Sequence, residues 1–140
     1  MRQPFYEILK KINESQTKEQ KIEIIKSSPH NFKQFLKLSF DPNIEFYPKV
    51  FPKEYKTPDT FPGISISDLN AEIRRLYLFE RGNPTADSLS EEKRTILLLQ
   101  VLESFEPEEA TVLMNMFNKN LKVKGLNYKL VKEIYPELLP

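Results

Sequence analysis

The stretch Ser88-Leu-Ser-Glu-Glu-Lys-Arg-Thr-Ile-Leu-Leu-Leu-Gln-Val-Leu-Glu-Ser-Phe105 decides how the rest of this 140-residue chain is to be read. Ser88 followed three residues later by Glu91 has the form of a capping box, in which a hydroxyl and a carboxylate satisfy free amides at a helix start. Behind it run Ile96, Leu97, Leu98, Leu99, Val101, Leu102 and Phe105. Apolar residues this continuous predict a helix buried on more than one side, at the centre of the fold.

Working downstream, Pro107-Glu-Glu109 opens another helix with proline in the first turn and acids at the positive end of the dipole. Val112, Leu113, Met114, Met116 and Phe117 then read as core. The adjacent carboxylates Glu91/Glu92 and Glu108/Glu109 sit at helix starts and read as capping charge. Upstream, Leu69, Ile73, Leu76, Tyr77 and Phe79 recur at helical spacing, with Ser65 or Ser67 as the expected cap and Gly82 suited to a left-handed C-cap. Asn83-Pro84-Thr85 restarts the chain for a short turn. At the amino terminus Phe5, Ile8, Leu9 and Ile12 mark one amphipathic helix. Thr17 with Gln20 is a capping box for a second, which carries Ile22, Ile24 and Ile25. A third runs from Pro29 through Phe32, Phe35, Leu36, Leu38 and Phe40 to Asp41-Pro42, with His30 facing solvent in its first turn. No convincing strand is left over. The expected fold is all-α, one domain over residues 1–140 with seven or eight helices.

Residues 41–66 break the helical pattern, because Pro42, Pro48, Pro52, Pro58 and Pro62 deny a helix room to propagate. Phe46, Tyr47, Phe51, Tyr55 and Phe61 are too many rings for a solvated linker and predict a loop pinned across the helices. Interleaved with Lys49, Lys53 and Lys56, the tyrosines also have the make-up of a nucleic-acid surface. Both readings stand at this point.

With no cysteine and a single histidine, the chain has no thiolate or zinc chemistry, and it carries no glycine-rich phosphate loop. No apolar run approaches the roughly 20 residues needed to span a bilayer, so a soluble, intracellular, non-enzymatic protein without cofactor or metal is expected. Net charge is +1, but it is unevenly placed. Residues 1–82 hold fourteen basic and eleven acidic side chains, residues 83–118 two and seven, residues 119–140 five and two. The last block reads Asn118-Lys-Asn-Leu-Lys-Val-Lys-Gly-Leu-Asn-Tyr-Lys-Leu-Val-Lys-Glu-Ile-Tyr-Pro136. Asn127 can cap a helix running to about Tyr135, which brings free amides together with Lys119, Lys122, Lys124, Lys129 and Lys132, a set suited to a backbone phosphate.

Taken in order, several segments resemble the amino-terminal DNA-binding domain of ATP-dependent DNA ligases, most closely the small helical version in T-even bacteriophage ligases. They are Phe5-Tyr-Glu-Ile-Leu-Lys-Lys-Ile12, Thr17-Lys-Glu-Gln-Lys-Ile22, Phe35-Leu-Lys-Leu-Ser-Phe40, Ile44-Glu-Phe-Tyr-Pro-Lys-Val-Phe-Pro52 and Ile64-Ser-Ile-Ser-Asp-Leu69. Thr85 to Leu89 after Gly82-Asn83, and Gly125-Leu-Asn-Tyr-Lys-Leu-Val-Lys-Glu-Ile-Tyr-Pro-Glu-Leu-Leu-Pro140, complete the series. The resemblance implies an all-helical domain that grips duplex or nicked DNA through phosphates, with Gly125 and Asn127 at the contact and Lys122 or Lys124 nearest the family's usual basic residue. It also implies a phage protein at work in the cytoplasm of the infected bacterium, with a replication sliding clamp as a further partner. The segment Asn120-Leu-Lys-Val-Lys-Gly125 departs from the family pattern, its leucine being displaced by one position. The lysine-centred adenylation motif is absent, and a chain complete at Pro140 is not expected to ligate. Two functions follow: a DNA-binding module, or an adaptor that uses the same shape to bind a replication component or host factor.

Overall fold

Eleven residues from Pro107 to Phe117 form the helix around which the others are packed. The computed structural model describes residues 3–56 and 67–140. Among them the elements are α1 (Phe5–Glu14), α2 (Lys18–Lys26), α3 (His30–Phe40) and α4 (Leu69–Glu72), which runs on as a 3-10 helix over Ile73–Phe79. There follow α5 (Pro84–Ser88), α6 (Glu91–Glu103), α7 (Pro107–Phe117) and α8 (Tyr128–Ile134). The fold is all-α. The one β-type contact among the described residues is an isolated antiparallel bridge between Phe46 and Glu80. It is closed by Tyr47 N–H donating to the Phe79 carbonyl and Arg81 N–H to that of Glu45, each at 2.8 Å. Through it the proline-rich loop is tied to the end of the 3-10 helix.

The central helix is α7, not α6 as the hydropathy pattern predicts. In α7 Ala110, Val112, Leu113, Met114, Met116 and Phe117 are buried, and Glu109 with them. In α6 only Leu98, Val101 and Leu102 are buried, and Ile96 is 43% exposed. Four consecutive apolar residues cover a whole helical turn, so their run carries no information about which side has a neighbour. In α7 small Ala110 and the methionines let α1 and α3 approach. Phe5, Phe32 and Phe35 meet at centroid separations of 5.1 to 5.4 Å on one side of the core. Phe46 and Phe79 close on Phe117 at 4.8 and 5.6 Å on another. Phe46 is thus the ring by which the long loop is pinned. Its Pro58, Pro62 and Phe61, together with Ser65 and the segment from Ile64 to Ile66, lie outside the described residues.

Two helix starts differ from expectation, and the donors explain it. Ser90, not Ser88, caps α6, its hydroxyl oxygen accepting from Lys93 N–H at 3.1 Å. Ser88 ends α5 and donates to the Thr85 carbonyl at 2.7 Å. Asp68, not Ser67, caps α4 by accepting from Ala71 N–H at 2.8 Å, since a carboxylate gains from the helix dipole what a hydroxyl does not. Ser67 donates to Glu72 instead. The element after it is one α turn and then a 3-10 helix, where a single long α-helix is expected. It ends at Phe79, so Gly82 (φ +88) serves the turn into α5. The box at Thr17 and Gln20 forms in both halves, and Asn127 caps α8, which ends at Ile134.

The most consequential carboxylate is Glu109. Its place in the first turn of α7 marks it as a cap for that helix, yet the side chain points inward and is 1% exposed. It accepts from Phe5 N–H at 3.3 Å and Tyr6 N–H at 2.9 Å, the first amides of α1, whose own N-cap Pro4 has no side chain to offer. It also accepts from Leu69 N–H at 3.1 Å, the first amide of α4. One carboxylate from α7 therefore caps two other helices. Beside it buried Glu106 accepts the Tyr6 hydroxyl at 2.6 Å and lifts that phenol well above its ordinary value. Burial pushes the Glu109 carboxyl up from 4.5 to about 7, against the amide bonds that favour the anion.

Replacing Glu109 by alanine leaves three amides without their acceptor, two of them buried, and should cost about 3 kcal/mol in urea denaturation. Between pH 4.5 and about 7 the folded chain keeps a proton at Glu109 that the unfolded chain has released. Stability should therefore fall as pH rises through that window and level off above it. In Glu109→Gln the part of the slope due to this site should vanish, which a pH series of denaturation midpoints tests.

Candidate nucleic-acid interface

Residues 118–127 join α7 to α8 by turning in the left-handed region at every third residue: Lys119 (φ +60), Lys122 (φ +58) and Gly125 (φ +79). The first turn caps α7, with Asn118, Lys119 and Asn120 N–H donating to Met114, Met116 and Asn115 carbonyls. In the second, the Asn120 side chain accepts from Lys122 N–H at 3.1 Å. The third is fixed by Asn13 at the end of α1, which accepts from Lys124 N–H at 3.0 Å. Leu121 and Leu126 point into the core, leaving Lys122 and Lys124 on the outside. Gly125 is required twice over. Its φ suits glycine, and a Cβ there would lie 2.6 Å from Lys21 Cε. Lys21 cannot easily yield, because its ammonium holds the Ile12 and Ser15 carbonyls and the Ser15 hydroxyl at the end of α1.

The loop borders an open groove of about 500 Å³ lined by Phe40, Lys119, Lys122, Lys124, Asn127 and Tyr128, among others. Asn127 Oδ1 is committed to Leu130 N–H at 2.9 Å.

The ten residues singled out in the sequence divide by what their side chains do. Three lysines hold main-chain carbonyls. Lys119 donates to Leu38 and Asp41 carbonyls at 2.6 and 2.8 Å, closing the carboxyl end of α3. Burial, with Lys49 as a like charge nearby, brings its amine down to about 8. Lys49 donates to the Phe117 carbonyl at 2.9 Å. Lys132 donates to those of Pro136 and Leu139 at 3.0 and 2.6 Å. Lys122, Lys124, Lys129, Lys53 and Lys56 are exposed, and their ammoniums have no acid partner among the described residues. Glu133, the acid of α8, is met by Lys18 at 2.7 Å. Gly125 and Asn127 shape the loop. Lys49 holds the carboxyl end of α7 and Asn118 Nδ2 donates to the Lys49 carbonyl at 2.8 Å, so the proline-rich loop and the 118–127 loop adjoin there.

Of the loop tyrosines, Tyr47 has the guanidiniums of Arg81 and Arg94 over its ring at 4.4 and 3.7 Å, and its hydroxyl donates to Asp87. That hydrogen bond pulls the Asp87 carboxyl below its usual range. Tyr55 stacks on Phe51 at 5.0 Å and 18°. Lys21, Asn13 and Phe40 support the groove without any local sign in the sequence, since Asn13 and Lys124 are 111 positions apart.

Residues 8–123 match a family of unknown function, DUF6433. The chain belongs to that family. Among curated proteins none is significantly similar in sequence. Two solved structures, named Pmar-Lig_PreS3 and Pmar-Lig_Pre, superpose with TM-scores of 0.69 and 0.68 at 19% identity, over 96% of this chain. The chain spans only 31% and 30% of their lengths. The family member thus shares its all-helical fold with a part of those two structures.

The division of lysines is testable by stability. Lys119→Ala strips two carbonyls of their donor and should cost about 2 kcal/mol in urea denaturation. Lys122→Gly trades left-handed strain for backbone entropy and should stay within about 1 kcal/mol of the parent.

Proposed function

We propose that this chain is a non-catalytic module that binds duplex DNA, intact or nicked, through backbone phosphates. The observation that carries the reading is the pair of exposed lysines Lys122 and Lys124 lining the groove, with exposed Lys129 in the first turn of α8, none of them paired with an acid among the described residues. Exposed Lys53 and Lys56 on the adjoining loop extend it. Neutralising backbone phosphates with lysines needs no more than this and carries no sequence preference. The likeness to two structures with Lig in their names supports the same reading, as do the segments resembling T-even phage ligases. On that basis the chain is a phage protein of replication or repair in the cytoplasm of the infected host. The thin catalytic inventory supports the non-catalytic part: no cysteine, and one histidine, exposed at the first residue of α3. No helix among the described residues is long and apolar enough to cross a membrane.

The alternative occupant is a protein such as a sliding clamp or host factor. The exposed acids Glu91, Glu92, Glu103 and Glu108, which repel DNA, favour it. A stoichiometric protein recovered from infected cells, with no DNA binding by the purified chain, would decide for that adaptor.

For the DNA reading, each lysine on a phosphate adds about 0.9 to the log–log salt slope, so three predict roughly a 40-fold fall in affinity between about 50 and 200 mM salt. Lys122→Glu or Lys124→Glu should weaken binding to all sequences alike and lower the slope by about 1. Lys122→Gly should do the same without loss of stability. Absence of any mobility shift of nicked or intact duplex at about 50 mM salt ends the reading.

A further inference from the structure

Val50 is 78% exposed, the most exposed large apolar side chain among the described residues, and its neighbour Phe51 is 38% exposed. Chain mobility does not explain this, because the segment is fastened on both sides. Behind Val50, the Lys49 carbonyl accepts from Asn118 Nδ2 at 2.8 Å while the Lys49 ammonium holds the Phe117 carbonyl. Ahead of it, Tyr55 N–H closes a turn on the Pro52 carbonyl at 3.0 Å and the Tyr55 ring backs Phe51. Pro48 and Pro52 fix the backbone torsion on each flank. The outcome is a stiff apolar tip on the surface. Exposed Lys53 and Lys56 follow it in the chain; Glu54 is the one acid in residues 49–56, and burial, with Glu103 of α6 near enough to add to it, raises the Tyr55 phenol. Behind it the Asn118 anchor leads directly into the loop bearing Lys122 and Lys124.

An apolar tip set between cations that can hold phosphates is the combination with which proteins part the stacked bases of a duplex. We propose that Val50 and Phe51 form a wedge that enters a base step and partly unstacks it, while the lysines of the two loops hold the phosphates around it. The wedge rests on the duplex-binding reading and adds what that reading lacks, a direct action on the bases. Cationic flanks and the shared anchor with the lysine loop favour DNA over an apolar protein pocket as the occupant.

The test is the emission of 2-aminopurine placed at successive positions of a nicked duplex, titrated with the full chain. Binding of the parent protein should raise emission at one step, and Val50→Ala with Phe51→Ala should abolish the rise and weaken affinity roughly tenfold, leaving the salt slope unchanged. Because Phe51 also packs on Tyr55, Val50→Lys provides the second arm: its side chain is almost wholly in solvent, so folding is not at stake. On a purely electrostatic surface Val50→Lys binds tighter and steepens the salt slope. With a wedge it loses the emission rise despite the added charge. Duplex binding with no emission change at any step, or a rise that survives Val50→Lys, overturns the wedge and leaves DNA binding standing. No binding at all removes both.

Discussion

Everything in this fold leans on one carboxylate that gives up its hydration to serve three amides. Glu109 lies in the most buried helix and meets the amino ends of α1 and α4, so the positive ends of two dipoles converge on a single anionic site. The arrangement ties the entry of two helices into the core to one group, since Pro4 offers α1 no side-chain acceptor and Asp68 serves Ala71 N–H in α4. It is expensive, since burial works against the charge that the dipoles want. The balance leaves the group titrating close to neutrality. Glu106 and Tyr6 reinforce the same corner by a half-buried bond, which ties α1 to the start of α7 through side chains as well as backbone.

The lysines show the same economy of placement from the other direction. Where two loops converge at the carboxyl end of α7, Lys49 and Lys119 sit on carbonyls that would otherwise end helices without a donor. Their charge is thereby spent on architecture. Lys122 and Lys124 owe their surface positions to the left-handed turns, which send Leu121 and Leu126 inward and put these lysines outside. The basic surface is a by-product of how the connection between α7 and α8 is plugged into the core, and its shape is as rigid as that plug.

How much of this was legible follows from the range of each interaction. The Thr17 box, the Asn127 cap and the inward faces of α1, α3 and α7 rest on contacts within one or two turns, and the spacing shows them. The hydropathy pattern puts the centre of the fold in α6 and not α7, because a run of Ile96 to Leu99 records hydrophobicity without direction. Ser88 and Ser67 lost their capping roles to Ser90 and Asp68, competitors two residues and one residue away that propensity alone does not separate. Glu109 looked like any first-turn acid; its partners Phe5 and Leu69 lie 104 and 40 positions off. Among the terminal lysines, composition cannot tell Lys119 from Lys122. The distinction lies in Leu38 and Asp41, which the fold brings to one and not to the other.

The bonds that seat α1 have a bearing on how the chain is made. Its amino end waits for Glu109 and its carboxyl end for Lys124, which emerge from the ribosome 104 and 111 residues later than their partners. Although α1 is synthesised first, it reaches its final seat among the last, and until then its apolar face of Phe5, Ile8, Leu9 and Ile12 is without its α7 contacts. During synthesis α1 therefore has α2 as its early partner, and the side that faces α7 stays uncovered until residues 107–117 have emerged, because the fold's keystone is built near the far end of the chain.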